Sequence, residues 1–259
     1  MKLKEKLLSS FMAFEENIDL ENDIHDIRNT AIKYFEDTGF PTKKLEAWKY
    51  TSLNSILKED YSIFPKKEDT TEYRDIKKYC VHDIDTYQIV FIDGVYASHL
   101  SQTTHEKLDA CLMSSALNKA KYKSIIKKYF NKVAPKDSLT ALNTAFCYEG
   151  AYIKIPKGVA AEKPIQILNF STGSEHAMLL QPRNLIIVED NAQVQIIERH
   201  QSLTDNAVLT NSVTEIFAGK NANVDYYKIQ NDKETSSLID NTYISQDRDS
   251  EVSMHTFSF

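Results

Sequence analysis

Glycine is scarce, at six in 259 residues, and so are the loops that glycine builds. There is no G-x-x-x-x-G-K-[ST] and no G-x-G-x-x-G, so a phosphate-cradling loop is not expected. A G-x-S-x-G nucleophile elbow is also missing. The three cysteines, Cys80, Cys111 and Cys147, are odd in number and far apart. They form no C-x-x-C, and no H-x-x-x-H or H-E-x-x-H accompanies them. That argues against a closed zinc site and against a disulfide framework. Free thiols suit a reducing compartment, and the cytoplasm is the expected location. No run approaches the roughly 18 apolar residues of a membrane span. The opening Met1-Lys2-Leu3-Lys4-Glu5-Lys6 lacks the apolar stretch of a secretory signal. Positive charge is not in excess either: the net charge is -6, which does not suit a nucleic-acid binder. Lysines cluster only between Lys119 and Lys132, at the spacing of a solvated helix face.

With 42% hydrophobic residues the chain can bury a substantial core. The first 60 residues read as helices. Ile24, Ile27, Ala31 and Phe35 share one helical face, Gly39 is a stop signal and Pro41 blocks continuation. A second helix is predicted over Leu45–Leu57, and a charged loop containing Pro65 over Lys58–Arg74. Gln88–Phe91 reads as a strand, with Asp93-Gly94 as a hairpin turn. Leu117–Val133 is predicted as one helix, with Ile125, Ile126, Tyr129, Phe130 and Val133 on its apolar stripe. After Leu139 the pattern becomes short β-rich runs parted by Pro and Gly, with no helix-length pattern between them. The expected organisation is a helical or mixed region over 1–138 and a β region over 139–259.

The β region contains a repeat. Asn191-Ala192-Gln193-Val194 returns as Asn221-Ala222-Asn223-Val224 and, more weakly, as Asp249-Ser250-Glu251-Val252. Ile186, Ile216 and Ile244 stand eight residues before the three valines. Repeated strand pairs without helices predict a stacked β-solenoid, with a β-sandwich as the alternative. Period two points Val194, Val224 and Val252 inward, together with Ile196, Tyr226 and Met254. Gln195, Asp225 and Ser253 point out. The outward column Ile197, Tyr227 and His255 is more apolar than a free surface needs. Either a neighbouring segment covers it or it binds a partner. The sequence stops at Thr256-Phe257-Ser258-Phe259, inside a strand pattern. The expectation is a fragment, or a last coil that another chain covers.

No constellation for chemistry stands out, and the sequence assigns no catalytic, cofactor or metal residues. Cys147 reads as a small buried hydrophobe. Glu198 and His200 share a strand face; they could bind a metal or shuttle protons, but an exposed polar strand end accounts for them. His255 belongs to the outward column. His82, His99 and His105 lie in polar, loop-like surroundings. Solenoids can host carbohydrate-active enzymes, which need several acids on one face of adjacent coils. A 30-residue offset instead aligns Glu198 with Lys228 and His200 with Gln230, so no acidic cluster forms.

Specific segments resemble a known family. Gly39-Phe40-Pro41-Thr42-Lys43-Lys44-Leu45-Glu46-Ala47-Trp48-Lys49-Tyr50-Thr51-Ser52-Leu53 is similar to the N-terminal signature of SufD proteins, with the single Trp as its expected anchor. Phe91-Ile92-Asp93-Gly94 resembles the family's strand–turn. Ala141-Leu142-Asn143-Thr144-Ala145-Phe146 and Ile153–Val159 resemble the start of the SufB/SufD core domain, and Glu162–Ile165 and Arg183–Glu189 continue it. The resemblance implies a right-handed parallel β-helix behind a helical N-terminal region. It implies a non-catalytic scaffold in a complex with SufB and the ATPase SufC, serving iron–sulfur cluster assembly and iron acquisition. No cofactor is implied within this chain; a cluster, and ATP on SufC, belong to the complex. SufD proteins are longer, and the residues the family uses toward its partners match no position here. The competing expectations are a β-solenoid carbohydrate enzyme and a solenoid that self-associates as a homodimer near Phe259.

Overall fold

The computed structural model describes residues 2–18, 24–64, 71–81, 83–102, 108–173 and 176–259. Two helices open the chain, α1 (Leu3–Asn17) and α2 (His25–Thr38). Ala31 and Phe35 are buried on α2, and Gly39 ends it with φ 66° and its N–H on the Phe35 carbonyl. A short α3 (Tyr73–Ile76) follows, then β1 (Tyr87–Ile92) and β2 (Val95–Tyr96). Asp93 and Gly94 both take positive φ between these strands, as the hairpin signal requires. Next come β3 (Asp109–Leu112), α4 (Met113–Asn118), α5 (Lys123–Tyr129) and α6 (Ser138–Ala145). The strands β4 (Ala151–Ile155), β5 (Ile165–Ser171), β6 (Met178–Leu180) and β7 (Arg183–Val188) lead into the repeat. The repeat itself is β8 (Gln193–Ser202), β9 (Val208–Ala218), β10 (Asn223–Asn231), β11 (Ser236–Gln246) and β12 (Glu251–Ser258).

These strands coil into a parallel β-solenoid of about four turns. One sheet has the order β12-β10-β8-β5-β1-β2, and the facing sheet β11-β9-β7-β4-β3. Each coil places one strand in each sheet. Registers match the repeat: Val224 pairs with Val194 and with Val252, and Ile216 with Ile186 and with Ile244. The turns fall at Asn191, Asn221 and Asp249, whose φ values are 57°, 54° and 61°. Asparagine and aspartate tolerate this left-handed backbone better than other non-glycine residues. Asn221 Nδ2 also donates to Asn191 Oδ1 at 2.9 Å, which stacks one turn on the next.

The helices cover the solenoid from outside. α1, α2 and α6 share a core with Leu179 and Leu209. α4 and α5 pack Met113, Ile126 and Phe130 on Tyr152, Leu185 and Ile187. The chain around α3 and β2 covers Val90, Ile92, Leu168 and Phe170 on the other sheet.

Three expectations are corrected. Leu45–Leu57 is not a helix; it holds two 3-10 turns, Glu46–Trp48 and Ile56–Lys58. Ser52 Oγ accepts from the Asn54 N–H, the local bonding by which such residues compete with helix. Trp48 is half-buried rather than a core anchor, and Leu45 and Tyr50 are exposed. Leu117–Val133 is not one helix, because Lys119 is extended and separates α4 from α5. There the Tyr122 hydroxyl donates to Asp109 at 2.6 Å. Inside the region read as purely β, α6 forms with all eight residues buried. Asp137 caps it by accepting from the N–H groups of Leu139 and Thr140. Pro65, His82 and His105 lie outside the described residues.

Candidate functional site: a charged cluster inside the solenoid

The solenoid interior changes character along its strands. Near the Asn turns it is apolar: Ile153, Ile186 and Ile216 face Val194, Ile196 and Val224. Two residues further along β8 the inward positions become Glu198 and His200, and on β10 they become Tyr226 and Lys228. Alternation alone carries these charges inside. Their partners arrive from the facing sheet. Asn184 Nδ2 donates to Glu198 Oε1 at 3.0 Å and to Thr214 Oγ1 at 3.1 Å. The Tyr226 hydroxyl donates to Glu198 Oε2 at 2.8 Å. His200 Nε2 lies 3.3 Å from Glu198 Oε1, and Lys228 Nζ lies 3.4 Å from Glu198 Oε2. Lys228 also pairs with Asp240 and donates to Thr242 Oγ1 at 2.6 Å, both on β11.

Burial and charge compete in this cluster. Burial disfavours the Glu198 carboxylate, but Lys228 and His200 outweigh it and hold its pKa well below the usual carboxylate range. Burial likewise opposes charge on His200 and Lys228. The neighbouring carboxylates prevail, and both pKa values rise. Asp240 moves the other way for an acid: burial first, then the Glu198 charge, raise it. The Tyr226 hydroxyl is pushed far up by burial and by Glu198, so it acts only as a donor.

A second buried charge pair clamps the helical layer to the solenoid. Arg183 Nη2 lies 2.6 Å from Glu215 Oε2, with both side chains fully buried. Glu215 also accepts from the N–H groups of Asn131, Lys132 and Val133, just after α5. Arg183 reaches Thr144 Oγ1 on α6 at 3.0 Å and lies over the Phe130 ring.

The structure places the sequence candidates unequally. Glu198 and His200 are not an exposed strand end; they are buried and adjacent. The 30-residue alignment of Glu198 with Lys228 and of His200 with Gln230 is the actual register. Tyr226, Lys228 and Asp240 complete the cluster, and Tyr226 points inward as its place in the repeat requires. Lys228 was legible as the stacked partner of Glu198, whereas Asp240 comes from across the lumen and leaves no periodic signal. Cys147 is fully buried, with its thiol pushed up to about 11. His99 Nε2 lies 2.9 Å from the Thr71 carbonyl oxygen. His255 stacks outside on Tyr227, with ring centroids 5.1 Å apart. Asp225 points out beside Gln195, so it does not join Glu198 in a groove. Among the described residues no three His, Cys, Asp or Glu side chains converge as a metal site. A sugar chain could not reach Glu198, whose side chain has no exposure.

Stacked coils with one strand per sheet and a helical cover define a parallel β-helix. Comparison with known proteins places it more narrowly. Residues 1–167 match the SufBD protein N-terminal region, and residues 170–259 match the SufBD core domain of the SUF system for FeS cluster assembly. The chain belongs to the SufB/SufD family of iron–sulfur cluster assembly proteins. It is 27% identical over 233 residues to a SufBD family protein of Synechocystis, covering 86% of this chain and 51% of that protein. It is 25% identical over 216 residues to the SufD protein of Bacillus subtilis, covering 80% and 48%. A chloroplastic SufBD family protein of Arabidopsis thaliana is 30% identical over 151 residues, covering 55% and 26%. The chain thus spans about half the length of the first two relatives.

Proposed function

We propose that the chain is part of a SufD-type scaffold subunit. It would work in a cytoplasmic complex with SufB-type and SufC-type partners, supporting cluster assembly and iron acquisition without catalysis of its own. The observation that carries this reading is the joint match of the helical cover and the stacked coils to the two SufBD family regions. Two features support it. The charges of the interior are bonded to one another rather than aimed at a cleft. In addition, no helix among the described residues is long and apolar enough to cross a membrane. The test is affinity isolation of the whole protein from its own cells, followed by mass spectrometry. SufB-type and SufC-type proteins should co-purify. Isolation without either one overturns the reading.

A further inference from the structure

The interior cluster has a property beyond scaffolding. If Glu198 and Asp240 are ionised while Lys228 and His200 are protonated, two negative and two positive charges cancel in a cluster whose Glu198, His200 and Lys228 are buried and whose Asp240 lies at the more open rim. One proton gained or lost leaves a net charge there, where burial makes it costly. The cluster is also the polar tie of β11. Among the described residues that strand pairs with β9 alone. Its inward residues beside Ile244 are Thr242 and Asp240, and Lys228 holds both. The groups facing His200 are Glu198 on its own strand, Lys228 on β10, Asp232 after β10, and Asp240 on β11.

We propose that Glu198, His200, Lys228 and Asp240 form a proton-operated latch on β11, closed only while their four charges balance. The signs follow from the groups themselves. His200 is raised above its ordinary value, so its contribution is complete in mild acid and is lost as pH rises through its folded-state value. Asp240 is also raised, so it takes up a proton at a higher pH than a free aspartate and releases Lys228 on the acid side. The closed window lies between these two raised values.

The test is hydrogen exchange of the 259-residue chain from about pH 4 to about pH 10, corrected for intrinsic rates. Amides of Ser236–Gln246 should be most protected inside the window and lose about tenfold protection on each side, while β7 stays flat. His200→Gln should remove the alkaline limb and Asp240→Asn the acid limb. Flat protection of β11 in the native chain, or an alkaline limb that survives in His200→Gln, overturns the latch. If the variants do not fold, imidazole NMR of the native chain decides. An imidazole titrating above about 6.5 in step with β11 loosening supports it. The absence of any such imidazole overturns it.

Discussion

A Cβ built on Gly150 lies 1.9 Å from the Arg183 carbonyl oxygen, and its φ of 145° is one that only glycine adopts readily. Here the chain leaves α6 and enters β4 against β7. Gly150→Ala is expected to cost about 3 kcal/mol or more, seen as a lower urea midpoint at unchanged m-value. Arg183 and Glu215 make a similar point in charge. Arg183→Met leaves Glu215 buried without its cation and should cost about 3–5 kcal/mol. Replacing both, with Arg183→Met and Glu215→Leu, should recover part of that loss, although the N–H groups of Asn131–Val133 lose their acceptor. Cys147 tests burial differently. Its thiol is raised, so the thiolate is sparse at neutral pH and access is closed. It should stay unreactive to a disulfide reagent at about pH 8 until urea unfolds the chain, while half-exposed Cys111 reacts sooner.

At the scale of elements, the coil is the unit that the sequence makes readable. Inward alternation, the Asn191 and Asn221 turns and the valine column follow from local rules of period and backbone, so the repeat alone locates them. What stayed hidden depends on partners distant in sequence. The α6 helix has its Asp137 cap in plain view, yet its burial on both sides depends on α2 and β9, so its small residues gave no amphipathic stripe. The Leu45–Leu57 segment carries a helix-like apolar pattern, but Ser52 and Asn54 divert its backbone into turns. Glu198 and His200 looked like surface residues because a charge inside a solenoid is costly until Lys228 and Asp240 arrive from other strands. Column packing can be measured directly. Ile216→Ala in the middle of the isoleucine column should cost about 2–5 kcal/mol, and Ile244→Ala less, because Ile244 is only half-buried. At the Asn221 turn, Asn→Gly should be nearly neutral, whereas Asn→Val should cost about 1–2 kcal/mol for its left-handed backbone.

For the whole molecule, the two layers have separate duties. Stacked coils give a rod whose length grows by one strand spacing per repeat. The helices cover part of its outer faces, and the Arg183–Glu215 clamp fixes one layer on the other. Along the sheet of β8, β10 and β12 that cover stops at Tyr79, over Phe170 and Arg199. Beyond it the outward Ile197 and Tyr227 remain half-buried, and His255 is exposed. On the proposed reading the protein acts through the partners it holds, so reconstitution is the most direct measurement. The whole protein would be mixed with purified SufB-type and SufC-type partners, and the complex mass read by light scattering during gel filtration. One stable species containing all three is the expected result. Elution of the protein apart from both partners would contradict the account.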